Sequence, residues 1–156
     1  MEDELRRKEA LLRMTGNLLS AIVEGLGGAD AETRSRVMEA CGEACAREEL
    51  WGPAIEIARR IADEEMDLDR VIERANGELL WCGKWAKEND IIVCTCTKCG
   101  CLLVNQGVVK LDATLCLCSR GWVKTVFEAL LRKPVRIDLE KAIGRGDDVR
   151  RYVVHL

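Results

Sequence analysis

Apolar positions organise the first half of the chain at helical spacing. Between residues 4 and 26, Leu11, Leu12, Met14, Leu18, Leu19, Ile22, Val23 and Leu26 recur three to four apart and predict an amphipathic helix. Acidic residues open it, which suits the positive end of a helix dipole, and Gly25, Gly27 and Gly28 end it. Such a stripe predicts a packing helix, with a helix shared between two copies of a homodimer as the alternative. Asp30 is a candidate N-cap for a second helix, Ala31 to Arg47, with Val37, Cys41, Ala44 and Cys45 on one stripe. Pro53 is placed to be the first residue of a third helix with Ile57, Ala58 and Ile61 inward. Asp67 caps a fourth, carrying Leu68, Val71, Ile72 and Ala75, and Asn76-Gly77 is its expected stop.

The period then changes. Leu79 to Ala86 and Ile91 to Cys96 read as two strands of a hairpin with the polar tip Lys87-Glu88-Asn89-Asp90. A polar loop follows Cys101. Ser119 is a candidate N-cap for a helix to Leu131 whose apolar face is Trp122, Val123, Val126, Phe127 and Leu130, ended by Lys133-Pro134. Val135, Ile137 and Leu139 alternate with charged residues as in a half-buried strand. Gly144 to Asp148 reads as a turn, and Val149 to Leu156 as a strand with Tyr152, Val154 and Leu156 on one face. The expected fold is α+β, with N-terminal helices packed on a small antiparallel sheet that one helix crosses. A helical region, 1–77, and a cysteine-rich α+β region, 78–156, are expected to form one compact unit.

Composition narrows the partners. The 156 residues are 48% hydrophobic and 33% charged, with net charge −3. No overall basic field exists to attract nucleic acid or an anionic membrane, and an aromatic content of 4% speaks against a base-stacking surface. No apolar run approaches the roughly 20 residues that span a bilayer. The opening Met-Glu-Asp-Glu-Leu-Arg-Arg-Lys is unlike a signal peptide, so the expected location is cytoplasmic. Nine cysteines in a reducing compartment point to metal binding or thiol chemistry and away from a disulfide framework.

Six of those cysteines lie between Ile91 and Trp122. Cys96-Thr-Lys-Cys99-Gly100 has the form of a metal knuckle, and Cys116-Leu-Cys118 is a second close pair, which in a strand would present both sulfurs on one face. Cys41 and Cys45 stack one helical turn apart. Metal ligands would come from Cys41, Cys45, Cys99, Cys101, Cys116 and Cys118, holding zinc or an iron–sulfur cluster. Cys118 precedes the expected N-cap Ser119, where a helix dipole favours a thiolate. That suits a metal ligand, a nucleophile or an anion site equally, and Arg120 adds positive charge. Cys82 reads as structural, and whether Cys82, Cys94 and Cys96 join the site is open. The single histidine, His155, reads as solvated or structural.

The run Cys99-Gly-Cys101 to Cys116-Leu-Cys118-Ser119-Arg120-Gly121-Trp122, with Cys41-Gly42-Glu-Ala-Cys45-Ala46 before it, resembles a family of small uncharacterised cysteine-rich prokaryotic proteins. The resemblance covers roughly residues 38 to 156. That family's tail usually reads Gly-Asp-x-x-Cys-Arg-Phe, whereas this chain has Gly146-Asp147-Asp148-Val149-Arg150-Arg151-Tyr152. Arg150 replaces the expected cysteine, which the resemblance implies makes a cation less comfortable and an anion more so. The tail and layout are also faintly similar to 4-vinyl-reductase-type domains and to L-2-amino-thiazoline-4-carboxylic acid hydrolases. The latter implies hydrolysis of a small cyclic amidine acid with a cysteine involved.

Three readings result. A thiolate cluster binding a metal explains why separated segments end in paired cysteines. A small-molecule sensor or cysteine-dependent hydrolase would use Cys118 or Cys116 as nucleophile, with Arg120 or Arg150 orienting a small carboxylate beside Trp122. The third is an inert cysteine-rich core.

Overall fold

A computed structural model describes residues 1–48, 53–79 and 83–156, so Cys82, read above as structural, lies outside the described residues. The fold is α+β. Four helices come first: α1 (Glu2–Gly27), α2 (Ala31–Ala46), α3 (Ala54–Glu64) and α4 (Leu68–Glu78). The hairpin strands β1 (Trp85–Glu88) and β2 (Ile91–Cys96) follow, then short helices α5 (Leu102–Asn105) and α6 (Ala113–Cys116). The long α7 (Cys118–Leu131), β3 (Arg136–Lys141), a 3-10 turn at Ile143–Arg145 and β4 (Arg150–His155) complete the order. The antiparallel sheet runs β1-β2-β4-β3.

One face of the sheet carries the core. Ile92, Cys94, Ile137, Leu139, Tyr152 and Val154 are buried there against Val123, Val126, Phe127 and Leu130 of α7. The α7 period supplies these four inward positions, while alternation supplies the strand residues. Trp85 fixes the corner: its ring meets Phe127 edge-on at 4.6 Å and lies 5.8 Å from Tyr152. A smaller cluster of Val23, Met38, Val109 and Leu115, backed by Leu19 and Leu26, holds α1 and α2 to the segment after β2.

Helix α2 crosses α7 at backbone contact. A Cβ at Gly42 would stand 1.7 Å from the Cys118 carbonyl oxygen, and one at Gly121 would stand 1.9 Å from that of Glu39. Only hydrogen at both positions permits the crossing. Charge then ties its rim: Glu39 pairs with Arg120 at 3.0 Å and with Lys124 at 3.3 Å, and Lys124 also reaches Glu43 at 3.3 Å.

Several expectations are corrected locally. Asn76-Gly77 does not stop α4, which runs on to Glu78. The Asn76 side chain instead donates to the Trp85 carbonyl and accepts from the Trp85 amide, both at 2.8 Å, and so pairs with the edge of β1 as a strand would. Pro53 precedes α3 as its N-cap. The first strand begins at Trp85, not Leu79, and the turn narrows to Asn89-Asp90, with Asn89 left-handed at φ 56. The supposed polar loop contains α5 and α6 and buries Val109, because its apolar residues pack under α1. Cys116 ends a short helix and does not lie in a strand. Most of the α1 stripe is not packed: Leu11, Leu12, Met14, Leu18 and Ile22 are exposed.

Candidate functional site

The cysteines converge on one cavity between α2, the segment after β2, the α6–α7 junction and the buried sheet face. It is half open to solvent, has a volume of about 110 Å³ and is lined by Cys45, Cys94, Cys99, Cys101, Cys116 and Cys118, together with Trp85, Trp122, Ser119, Tyr152 and Arg150. Each wall has its own origin. Cys45 sits three residues past Gly42, on the face of α2 that meets α7. Cys94 and Tyr152 face each other in the β2–β4 register, and Arg150 is paired with Cys96. The Asp112 side chain accepts the Leu115 amide at 2.6 Å and starts α6, which presents Cys116.

Ser119 does not cap α7. Leu117, the N-cap, is itself helical, so α6 runs nearly unbroken into α7, and the Ser119 hydroxyl donates to the Cys116 carbonyl at 2.6 Å. The amides near Cys118 are therefore a less open anion site than the sequence suggested; the Arg120 amide, for example, donates to Leu117 O. Arg120 does not line the cavity. Its guanidinium donates to Glu39 at 3.0 Å and Ser35 at 3.1 Å. Cys41 is exposed and also lies off the cavity, whereas Trp122 and Arg150 line it. Cys96 is disulfide-bonded, so the Cys96–Cys99 knuckle does not form, and Cys94 Sγ rests 3.7 Å from its sulfur. His155 is remote from the cavity and pairs with Asp138 at 2.7 Å.

Burial dominates the electrostatics. It pushes the Cys118 thiol up to about 12, and the neighbouring thiols of Cys101, Cys45, Cys116 and Cys99 push the same way. Burial raises Cys94 to about 11 against an opposing pull from Arg150. Cys116 is raised by burial, while a Gly144 backbone hydrogen bond and Arg150 oppose the rise. Tyr152 is held neutral by burial. A free Cys118 thiol is thus a poor nucleophile at neutral pH, since the helix start does not offset its desolvation.

Arg150 is the one cationic side chain among the described residues of the wall, and it is 5% exposed. Its guanidinium lies 5.3 Å from the Tyr152 ring centroid and donates to the Lys98 carbonyl at 3.3 Å. Cys94, whose membership the sequence leaves open, lies in the wall, and so does Tyr152, which the sequence does not nominate. The alternation of β4 carries that signal only once its partner strands are known.

Among the described residues, no three His, Cys, Asp or Glu side chains stand close enough to one point to hold a metal ion. None of their helices is long and apolar enough to cross a membrane. No protein-family model matches the chain, and no curated protein matches it.

Proposed function

We propose that the cavity is a thiolate site for a metal group larger than a single ion, an iron–sulfur cluster, with ligands drawn from Cys45, Cys99, Cys101, Cys116 and Cys118. The observation that carries the reading is the convergence of these side chains, from separate segments, on one half-open cavity, with Cys45 at its exposed edge. Four thiolates on one zinc stand about 3.8 Å apart, given Zn–S bonds of about 2.3 Å in a tetrahedron. The described side chains are not gathered that tightly. They surround about 110 Å³, whereas a single water needs about 10–15 Å³ on that scale. Thiolates bear the charge that burial opposes, and a bound cation offsets it. Arg150, standing where the resembled family has a cysteine, would balance the remaining negative charge.

A second reading rests on Arg150 itself. A buried guanidinium facing an apolar cavity with Ser119 and Trp122 suits a small carboxylate. The raised Cys118 pKa favours binding over hydrolysis in that case.

Anaerobic purification and reconstitution, followed by iron, sulfide and zinc analysis with a visible spectrum, tests both. Iron and sulfide in fixed ratio, with absorption lost in Cys116→Ser and Cys118→Ser, support the cluster. Stoichiometric zinc without iron would replace it with one ion. Absence of both metals overturns the metal reading and leaves the cavity to a carboxylate, sought by thermal shift in the parent chain and in Arg150→Met.

A further inference from the structure

The cavity leaves α1 unexplained. The helix is 26 residues long, yet its buried residues are only Gly16 and Val23. Leu19, Val23 and Leu26 form the side that docks on the body. A second apolar stripe, turned about 100° from the first at 3.6 residues per turn, consists of Leu11, Met14, Leu18 and Ile22. These are 57%, 54%, 58% and 57% exposed. Toward the N-terminus, Leu5 and Leu12 continue the docked line past the body and are 59% and 56% exposed. One stripe suffices to dock a helix, so the second is surplus to this fold.

We infer that this flank of α1 is a self-association surface, on which a second copy of the chain lays its own α1 antiparallel about a two-fold axis near residues 16 and 17. Area supports the occupant. The four flank side chains, each more than half exposed, offer on the order of 400 Å² per copy, so a pair buries on the order of 800 Å², the size of a weak, concentration-dependent interface. Charge supports the direction. No charged residue occurs from Met14 to Val23, so the centre pairs with itself without burying an ion. Arg7 continues the flank line one turn before Leu11. Antiparallel pairing lays it at the partner's helix C-terminus, where the last turn has no basic residue and Arg34 already donates to one carbonyl, that of Gly27, at 3.0 Å. A parallel pair would set Arg7 against its own copy. Leu11 then faces Ile22 of the other copy, and Met14 faces Leu18.

Light scattering and sedimentation equilibrium of the full chain test this. The expected mass is twice the 17.4 kDa of one chain. Leu18→Glu should weaken association on the order of 100-fold, since each dimer would carry the charge twice, while the helical circular dichroism is kept. Leu11→Lys and Ile22→Glu should each be monomeric alone and associate when mixed, because only an antiparallel pair joins position 11 to position 22. A monomeric parent chain overturns the inference, as does a dimer indifferent to Leu18→Glu. A monomer that cosediments with phosphatidylglycerol vesicles would assign the flank to a lipid surface and overturn it too. Association of the parent chain without rescue on mixing would overturn the antiparallel arrangement.

Discussion

The crossing of α2 and α7 makes a signed expectation possible from one methyl group. In Gly42→Ala the new carbon would start 1.7 Å from the Cys118 carbonyl oxygen and 2.8 Å from the Trp122 amide nitrogen. Ordinary contact is about 3.5 Å, so the helices must part by roughly 1.5–2 Å. The obstacle is backbone and no side-chain rotation relieves it. Overpacking of this kind costs about 3 kcal/mol, at the upper end of its usual span. Alanine returns about 1 kcal/mol through its better helix propensity, leaving a net loss of about 2 kcal/mol. For a chain of this size that lowers the melting temperature by about 4–8 °C. Gly77→Ala in α4 is the control, because a Cβ there meets nothing within 4 Å. It keeps the propensity gain alone and should melt about 2–4 °C higher than the parent. Differential scanning calorimetry of the three metal-free proteins reads both shifts. Should Gly42→Ala melt as high as Gly77→Ala, the close crossing would not exist and the steric argument would fail.

Two further outcomes follow from the wall of the cavity. Asp112→Ala removes the cap of α6 and should cost about 1 kcal/mol; chemical denaturation should show this, with Asp112→Asn retaining most of the stability. The alkaline limb of stability reports the buried thiols. The Cys118 pKa rises on folding from 9.0 to about 12, so the neutral thiol contributes stability that is fully present below about 9 and fades as pH climbs toward about 12. In metal-free protein the urea midpoint should fall between pH 9 and pH 11, and Cys118→Ser should flatten that fall. A midpoint that rises over the same range would contradict the burial of Cys118.

The long elements were legible because each carries several repeats of its own period. Ala31–Ala46 is capped where Asp30 stands, but it buries Met38, Gly42 and Ala46 and not the expected stripe of Val37, Cys41, Ala44 and Cys45, because the face that meets α7 is chosen by the glycine crossing. Helix α7 buries Val123, Val126, Phe127 and Leu130 as its spacing nominates, with Trp122 half-buried. A four-residue helix has no period to read, so the sequence reads α5 and α6 as a polar loop and offers for Cys116 and Cys118 only the conditional geometry of a strand. The thiols were recognisable as a group, but their membership depends on crossing geometry. Cys41 and Cys45 share a helical stripe, yet only Cys45 flanks the contact at Gly42. Arg120 looked ready for an anion because its partners Ser35 and Glu39 lie far away in sequence. Tyr152 reached the wall through register: it pairs with Cys94 on one side and Leu139 on the other. Pairing of that kind is a property of three strands together, whereas alternation within β4 records only which residues share a face.

The sheet order has a consequence in time. β4 lies between β2 and β3, C-terminal in sequence to both, and supplies Arg150 and Tyr152 to the cavity. A nascent chain that has not yet released these residues from the ribosome has a β1–β2 hairpin and a β3 with no common neighbour. The loops it must close to join them are long, and non-local pairings of this sort form late. Cys94, Cys99, Cys101, Cys116 and Cys118 all leave the ribosome before the strand that walls them in. Were an inorganic group held there, it would enter most readily while the sheet is still open, before β4 adds the Arg150 and Tyr152 wall.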